Sequence, residues 1–393
     1  MKFVSLLLHV YQPPTQDIAL VAEIDGECYT PLSGLLASGG YPVGFNMNYS
    51  LTEQLQKLES PALENLAAAK HVEFTDSGAY HPIFPLVDEE DVIRQLELNR
   101  RGNAGALGGG YDPDGVFPPE MAFSPELPAL FAASGYRWTV TDDLPWAVSG
   151  RDVPFDWIPG MDGVAVLLRS NFWSNRISFH GRDGAETALE LLDGMRGWTG
   201  GGDAYVLIAM DGETFGHHWK GGIDGFLKPF LDTVAGNDDM ELVTPGGLIG
   251  MFPVVPSEVP SGSWSTTAYD IERGVPWPLW YDPDNKLHVM LWKLLRKTRA
   301  AAGRCRGDRV ARCADRMLYS CPFWWSSKGR FDAVQVRRGL MAILDTASAM
   351  YEETGDRKLP DDIATSAFNM PEVTGEDRTD AQEGKNVRGE AGP

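Results

Sequence analysis

Two carboxylates in this sequence follow buried, strand-like runs and could act together on one bond. Glu120 comes directly after two prolines, which fix the backbone and remove two amide donors. Asp211 ends a long apolar run, and Glu213 follows two positions later. Cleavage of a glycosidic bond needs two carboxyl groups, because one attacks or stabilises the sugar cation while the other protonates the leaving oxygen. The pattern therefore predicts chemistry of this kind.

Further polar residues stand where other strand-like runs end. The first run is followed by His9, Tyr11 and Gln12, and a second run is followed by His81. In a β/α barrel the functional groups lie at the carboxyl ends of the strands. We expect these side chains to form one wall of a pocket.

Two other interpretations fit the same residues. Glu120 could complement the N-terminus of a helix, and Asp211, Glu213, His217 and His218 are residue types that coordinate divalent ions. The HxxxH and HExxH spacings of many metal sites are missing. The sequence therefore predicts no metal site and no cofactor.

Short apolar runs alternate with helical patterns over the first two thirds of the chain, which predicts an α/β fold closed into a barrel. The predicted strands cover residues 3–9, 72–75, 138–140, 164–168 and 205–210. The predicted outer helices cover residues 51–58, 91–100, 125–134 and 185–195.

The character of the sequence changes along the chain, and four parts are expected. These are a catalytic barrel over 1–253, a Pro- and Trp-rich active-site loop junction over 254–284, a helical subdomain over 285–369 and a disordered tail over 370–393. The helical subdomain is predicted from three long amphipathic patterns without strand signals between them.

Composition excludes some partners. The 393 residues carry a formal net charge of −21, and such a surface repels nucleic acid and anionic membranes. Four cysteines do not form a disulfide framework, and the apolar N-terminal stretch resembles a first core strand more than a signal peptide. We therefore expect reduced thiols and a cytoplasmic protein. The sequence sets no oligomeric state.

Aromatic residues are abundant, with 12 Trp and 12 Tyr, and many stand beside Gly or Pro rather than at regular spacing. Large rings fill cores, but clusters of this type also suit a cleft lined with flat surfaces. The candidates for such a lining are Phe117, Trp173, Trp264, Trp277 and Trp280.

Seven stretches, taken in order, resemble the sequence regions of glycoside hydrolase family 57. They are LHVYQPP (8–14), FNMNYSLTEQL (45–55), GAYHPIFPL (78–86), GVFPPEMAFS (115–124), YRWTVTDD (136–143), IAMDGETFGHH (208–218) and PLWYDPDNKLH (278–288). The resemblance covers about residues 1–344.

The resemblance implies an incomplete (β/α)7 barrel followed by a C-terminal helical subdomain. It also implies a retaining enzyme that acts on an α-glucan or maltooligosaccharide substrate as an α-amylase, 4-α-glucanotransferase or branching enzyme. Glu120 matches the family nucleophile and Asp211 the acid/base residue. Retention implies carboxyl groups roughly 5 to 5.5 Å apart.

The same resemblance implies a set of substrate-binding residues, with some departures. His9 and His81 match positions that contact the sugar next to the scissile bond, and Tyr11 stands where a second histidine is common. Phe117 replaces a common Trp before the nucleophile. The full set of substrate-binding candidates is His9, Tyr11, Gln12, His81, Phe117, Trp173, Glu213, Trp264, Trp277, Trp280 and His288.

Two alternative functions stay open from the sequence. The first is a catalytically weak carbohydrate-binding relative that has kept the cleft. The second is a metal-dependent polysaccharide deacetylase-like enzyme, whose barrel has a related shape.

Overall fold

The structure is a computed structural model that describes residues 1–368. Its strands belong to one sheet. They are β1 Lys2–Val10, β2 Val43–Met47, β3 Val72–Thr75, β4 Gly115–Val116, β5 Trp138–Asp142, β6 Ile158–Met161, β7 Val164–Arg169, β8 Ala204–Asp211, β9 Met240–Leu242 and β10 Val254–Pro256.

Helices surround the sheet and continue after it. They are α1 Ile18–Ile24, α2 Thr30–Gly39, α3 Tyr49–Lys57, α4 Pro61–Ala68, α5 Glu89–Leu107, α6 Leu127–Ala133, α7 Leu144–Val148, α8 Asn171–His180, α9 Gly184–Arg196, α10 Lys228–Ala235, α11 Pro245–Met251, α12 Ala268–Glu272, α13 Lys286–Ala302, α14 Asp308–Arg316, α15 Cys321–Trp324, α16 Ala333–Thr354 and α17 Lys358–Phe368. Short 3₁₀ turns at Pro119–Met121 and Gly212–Phe215 follow β4 and β8.

Seven parallel strands close into a barrel in the order β1, β2, β3, β4, β5, β7, β8. At two places in the barrel, neighbouring strands are joined by only one residue pair. A single bridge between Asp76 and Val116 joins β3 to β4, and only the pair Arg169 and Leu207 joins β7 to β8. These observations agree with the expected incomplete (β/α)7 barrel, and the α/β fold is confirmed.

The strands β1, β5, β7 and β8 bury both faces, as the apolar runs require in a parallel sheet. On β1, Leu7 packs with interior residues such as Leu167 and Ala209, while Leu6 and Leu8 pack outward against the surrounding helices. The alternation of side chains along a strand therefore places His9, two residues after Leu7, inside the barrel at its upper end.

All five predicted strands and four predicted outer helices are present. Sequence patterns missed β2, β4, β6, β9 and β10, which have five, two, four, three and three residues and carry little periodicity. The sheet also extends past the predicted barrel boundary at residue 253, because β10 pairs with β6.

The helices α13 to α17 form a second core, in which Leu291, Leu295 and Ile343 are buried. Ion pairs attach this region to the barrel: Arg94 on α5 contacts Asp315 through both carboxyl oxygens, and Arg299 donates to Asp91 at 2.6 Å. The expected tail, residues 370–393, lies outside the described residues.

Candidate active site

A cavity of about 1890 Å³ opens at the carboxyl ends of the barrel strands. His9, Tyr11, Gln12, Glu120, Asp211, Glu213 and Trp264 line it, so it contains seven of the thirteen candidates. The junction and the helical region close its other sides through residues 265–287 and 324–331. The cavity is larger than a single small ligand needs.

The strand register explains why polar residues from distant parts of the sequence meet here. His9 on β1 lies beside Asp211 on β8 and beside Asn46 on β2, and Asn46 lies beside Thr75 on β3. Side chains of register partners in a parallel sheet point the same way. These four residues therefore form one layer at the upper end of the barrel interior.

Glu120 stands on a strained turn directly after β4. Its φ of 60° and ψ of 17° place it in the left-handed region, where a non-glycine residue is uncommon, and Met121 also has a positive φ of 50°. Backbone N–H groups of Met121 and Ala122 donate to Pro118 and Pro119 and hold the turn. Strain of this kind is typical of functional positions, where the surrounding structure fixes a side chain.

The Glu120 carboxyl is held by a tryptophan side chain. The indole N–H of Trp264 donates to Oε2 at 2.8 Å. Burial and then the charge of Asp211 raise the pKa of Glu120 to about 8, whereas Trp264 and Arg330 lower it. Both carboxyls line the same cavity.

Asp211 ends β8, and Glu213 lies in the turn that follows. Burial raises the pKa of Asp211 to about 6, and the guanidinium of Arg169 lowers it. Burial and the charge of Asp211 raise the pKa of Glu213 to about 8. Glu213 Oε1 accepts hydrogen bonds from the Tyr29 hydroxyl at 2.7 Å and from the Tyr11 backbone N–H at 3.2 Å.

Arg169 is a cavity residue that the sequence patterns did not indicate. It ends β7, and its guanidinium pairs with Asp142 at 2.6 Å and donates to the Ala209 carbonyl and to Asn175. It also lies 5.9 Å from the ring centroid of Trp264. A charged residue at a strand end is the signal that could have found it.

A second missed group comes from the helical region. Trp324, Trp325 and Arg330 line the cavity, and the Arg330 guanidinium lies 4.3 Å from the Trp324 ring centroid. The two tryptophans pack edge to face with ring centroids 4.5 Å apart. In the sequence these two tryptophans stand beside Ser and Gly. The other aromatic candidates have similar surroundings, so this pattern could have identified them.

Phe117 and His81 do not line the cavity, and their expected contact with substrate stays a prediction. Phe117 is 0% exposed and stacks on His9 at 4.7 Å, with 8° between the ring planes. His81 is 1% exposed and stacks on Tyr11 at 3.9 Å. Both rings lie behind the cavity surface because they pack against residues that do line it.

Four further candidates also lie outside the cavity lining. Trp173 packs outward against the helices around the barrel, and Trp280 is 0% exposed in the core of the helical region. Trp277 packs beside that core and donates its indole N–H to Gly262. Both ring nitrogens of His288 are occupied, one by the Asp282 N–H and one by the Phe323 carbonyl. None of these four lines the cavity.

Residues 1–368 contain no group of three or more His, Cys, Asp or Glu side chains arranged to hold a metal ion. Within the same residues no disulfide forms: Cys28 is buried, and the other three cysteines are partly buried. No helix in that part of the chain is long and apolar enough to cross a membrane.

The fold and site define a β/α-barrel protein with several carboxyl groups in an aromatic-lined cleft. The family model of glycosyl hydrolase family 57 matches residues 11–256, which is more than half of the chain. The chain belongs to glycosyl hydrolase family 57.

Curated relatives agree with this membership. An alpha-amylase of Pyrococcus furiosus is 25% identical over 253 residues, which are 60% of this chain and 37% of that protein. A 4-alpha-glucanotransferase of Thermococcus litoralis is 25% identical over 201 residues, which are 48% of this chain and 29% of that protein. The chain thus spans well under half the length of these relatives.

Solved structures share the fold over nearly the whole chain. A branching enzyme of this family from Thermococcus kodakaraensis superposes with a TM-score of 0.70 at 17% identity and covers 93% of this chain and 94% of its own. An alpha-amylase from Thermotoga maritima gives a TM-score of 0.70 at 13% identity, with 97% and 99% covered.

Proposed function

We propose that this chain is a retaining glycoside hydrolase or transglycosidase that acts on α-linked glucans by double displacement. Glu120 is the nucleophile and Asp211 the acid/base residue. The single observation that carries the proposal is that these two carboxyls, which lie at or after the ends of separate strands, line the same cavity. The names of the curated relatives support α-glucans as the substrate.

The reaction takes two steps. In the first, a Glu120 oxygen attacks the anomeric carbon, the glycosidic bond breaks, and Asp211 gives its proton to the departing oxygen. In the second, Asp211 takes a proton from water or from an acceptor sugar hydroxyl, whose oxygen replaces Glu120 at the anomeric carbon. Water yields hydrolysis, and an acceptor sugar yields transfer.

The order of the two pKa values, about 8 for Glu120 and about 6 for Asp211, favours the proton on Glu120, so the reactive form is the one with this proton on Asp211. Attack requires an ionised Glu120, and the Trp264 indole N–H stabilises the ionised form because it donates to that carboxyl. Once Glu120 is ionised, its charge favours a proton on Asp211. The strained backbone at Glu120 holds the carboxyl in place before substrate arrives.

The cavity has room and surfaces for several sugar residues. Its lining includes Leu20, Phe179 and Trp219 from the barrel side, and Tyr269 and Trp325 from the junction and the helical region. Apolar rings beside polar side chains suit a chain of pyranose rings, which present apolar faces and polar edges. The proposed substrate is therefore an oligosaccharide or a polymer rather than a single sugar.

The test is Glu120→Gln with Glu126→Gln as the matched control. The first removes the nucleophile, and the second changes an exposed glutamate six residues away that does not line the cavity. With maltooligosaccharides and amylose, E120Q should lower kcat on the order of 10⁴-fold or more, while E126Q retains activity. Circular dichroism should show the same fold for both.

Product analysis completes the test. Proton NMR of the first product should show retention of the α-anomer, and chromatography of the products separates hydrolysis from transfer and branching. Undiminished turnover by E120Q would refute the role of Glu120. Glucan binding without any product after long incubation of the wild type would favour the non-catalytic relative, and loss of activity on chelation would favour the metal-dependent alternative.

A further inference from the structure

Asn46 lies behind the cavity in a fixed orientation. Its side chain is 0% exposed and does not line the cavity. Its Nδ2 donates to the Thr75 hydroxyl at 2.7 Å and approaches the backbone carbonyls of Thr75 and Asp76 at 3.4 Å. Carbonyl oxygens only accept hydrogen bonds, so the amide nitrogen must face β3 and the amide oxygen must face β1.

That orientation determines where the proton of His9 lies. Asn46 Oδ1 is 2.6 Å from His9 Nδ1, and an amide oxygen only accepts, so Nδ1 carries the hydrogen. Burial lowers the pKa of His9 to about 4, so the ring is neutral near pH 7. The other nitrogen, Nε2, is then a bare acceptor.

Neighbouring rings keep His9 in place. Phe117 stacks on it at 4.7 Å, and His81 stacks on it at 5.3 Å. Among the described residues, no side chain or backbone group donates a hydrogen bond to Nε2, although His9 lines the cavity. An unsatisfied acceptor at the surface of a cleft needs a donor from the ligand.

We propose that Asn46 is a positioning residue that holds His9 in the Nδ1–H tautomer, so that Nε2 accepts a hydrogen bond from a hydroxyl of the bound sugar. The inference rests on the proposed function for the identity of the donor. The tautomer does not depend on that function. The assignment also gives Phe117 and His81 a role, since they fix the plane of the His9 ring.

The tautomer can be measured directly by NMR on protein that contains ¹⁵N-histidine. The chain has seven histidines, and the His9 signals are assigned as those absent from His9→Gln. Near pH 7 the wild type should show a protonated Nδ1 and an unprotonated Nε2 for His9. Nε2 should move to lower ¹⁵N shift when maltooligosaccharide binds, because it then accepts a hydrogen bond.

Two variants of Asn46 test the cause. Asn46→Leu removes the acceptor with little change in size, so His9 should populate the Nε2–H tautomer and kcat/KM should fall about tenfold. Asn46→Asp keeps an acceptor for Nδ1–H and should retain the tautomer. Asn103→Leu is the matched control, because Asn103 is an equally buried asparagine that contacts Met47 and Tyr111 rather than His9.

The aspartate variant also makes a prediction about pH. Tyr11 and His81 pack near the His9 ring, and Asp211 and Glu120 are the carboxyls of the same cleft. A carboxylate at position 46 adds a negative charge, so it raises the pKa of His9. Below that raised pKa, Nε2 carries a proton and cannot accept, so N46D should lose kcat/KM at a higher pH than the wild type.

The outcomes separate the two proposals. A wild-type His9 with its proton on Nε2, or N46L with unchanged tautomer and unchanged kcat/KM, would overturn the role of Asn46. If N46L unfolds, N46D and the wild-type spectrum still test whether Asn46 sets the tautomer of His9. The expected tautomer in a protein that does not turn over α-glucans would contradict the proposed function and leave the tautomer control by Asn46 in place.

Discussion

Three carboxyl groups, those of Glu120, Asp211 and Glu213, share one cleft, and they cannot all be ionised at little cost. The pKa is raised to about 8 for Glu120 and to about 6 for Asp211, chiefly by burial. The charge of Asp211 is one cause of the raised pKa of Glu120, so these two carboxyls do not ionise independently. Between them the pair holds one proton, which is the protonation state that double displacement needs.

This predicts a bell-shaped pH dependence of kcat/KM. Activity should fall below pH about 6, where both carboxyls are protonated, and above pH about 8, where both are ionised. The measurement is kcat/KM on a maltooligosaccharide from about pH 4 to about pH 10. This range covers both the acidic and the alkaline limb of the expected curve. A profile flat across this range would contradict the assignment of the pair.

A Trp264→Phe variant tests whether Glu120 sets the alkaline limb of the pH profile. The variant keeps a ring and removes the N–H that donates to Glu120, so the pKa of Glu120 should rise and the alkaline limb should move to higher pH. Trp277→Phe is the control, because its N–H donates to Gly262 outside the cavity. Equal shifts in both variants would show that Trp264 does not act through Glu120.

At the scale of elements, the join between β3 and β4 depends on Asp76. Its backbone N–H donates to Gly115 and its carbonyl accepts from Phe117, and the one bridge between these strands is made here. Its buried carboxyl accepts from the Tyr136 hydroxyl at 2.6 Å and from Asn99 at 2.8 Å. The backbone of Asp76 thus joins β4 to the end of β3, and the Ser77 hydroxyl adds a hydrogen bond to the Phe117 carbonyl at 2.7 Å.

We therefore expect Asp76→Ala to lower the free energy of unfolding by roughly 3 kcal/mol, since it leaves several buried donors unpaired. Tyr136→Phe removes one of these bonds and should cost about 1 kcal/mol. Urea denaturation followed by circular dichroism measures both values. A D76A protein as stable as Y136F would show that the carboxyl does not hold this join.

At the scale of the whole molecule, the cleft is built by the barrel and the helical region together. The barrel supplies the carboxyls, and the segment after α15 supplies Trp325 and Arg330. Ion pairs such as that between Arg94 and the buried Asp315 attach the two regions. The proposed sugar-binding surface therefore extends beyond the part of the chain that supplies the carboxyls.

Trp325→Ala tests this division. The variant should raise KM for maltooligosaccharides about tenfold and change kcat less, because the lost ring contacts bound sugar but not the reacting carbon. Trp198→Ala is the control: it removes a partly buried ring stacked on Phe155 outside the cavity. If kcat falls and KM does not change in W325A, the helical region contributes to the reaction itself.

The sequence by itself determined the α/β fold, five of the strands and the strand end that carries Asp211. These features are local, because apolar periodicity and Pro, Gly and Asp signals act over a few residues. The family resemblance rested on the same local stretches, and the match over residues 11–256 confirms it.

Only the tertiary structure decided which aromatic rings reach the cleft and how His9 is held. Phe117 and Trp280 have sequence surroundings like those of Trp264, yet both are 0% exposed, because burial depends on segments that pack from elsewhere in the chain. Asn46 meets His9 because two strands pair in one register across 37 residues of sequence. Local sequence patterns do not determine that register, because the register depends on how the whole barrel closes.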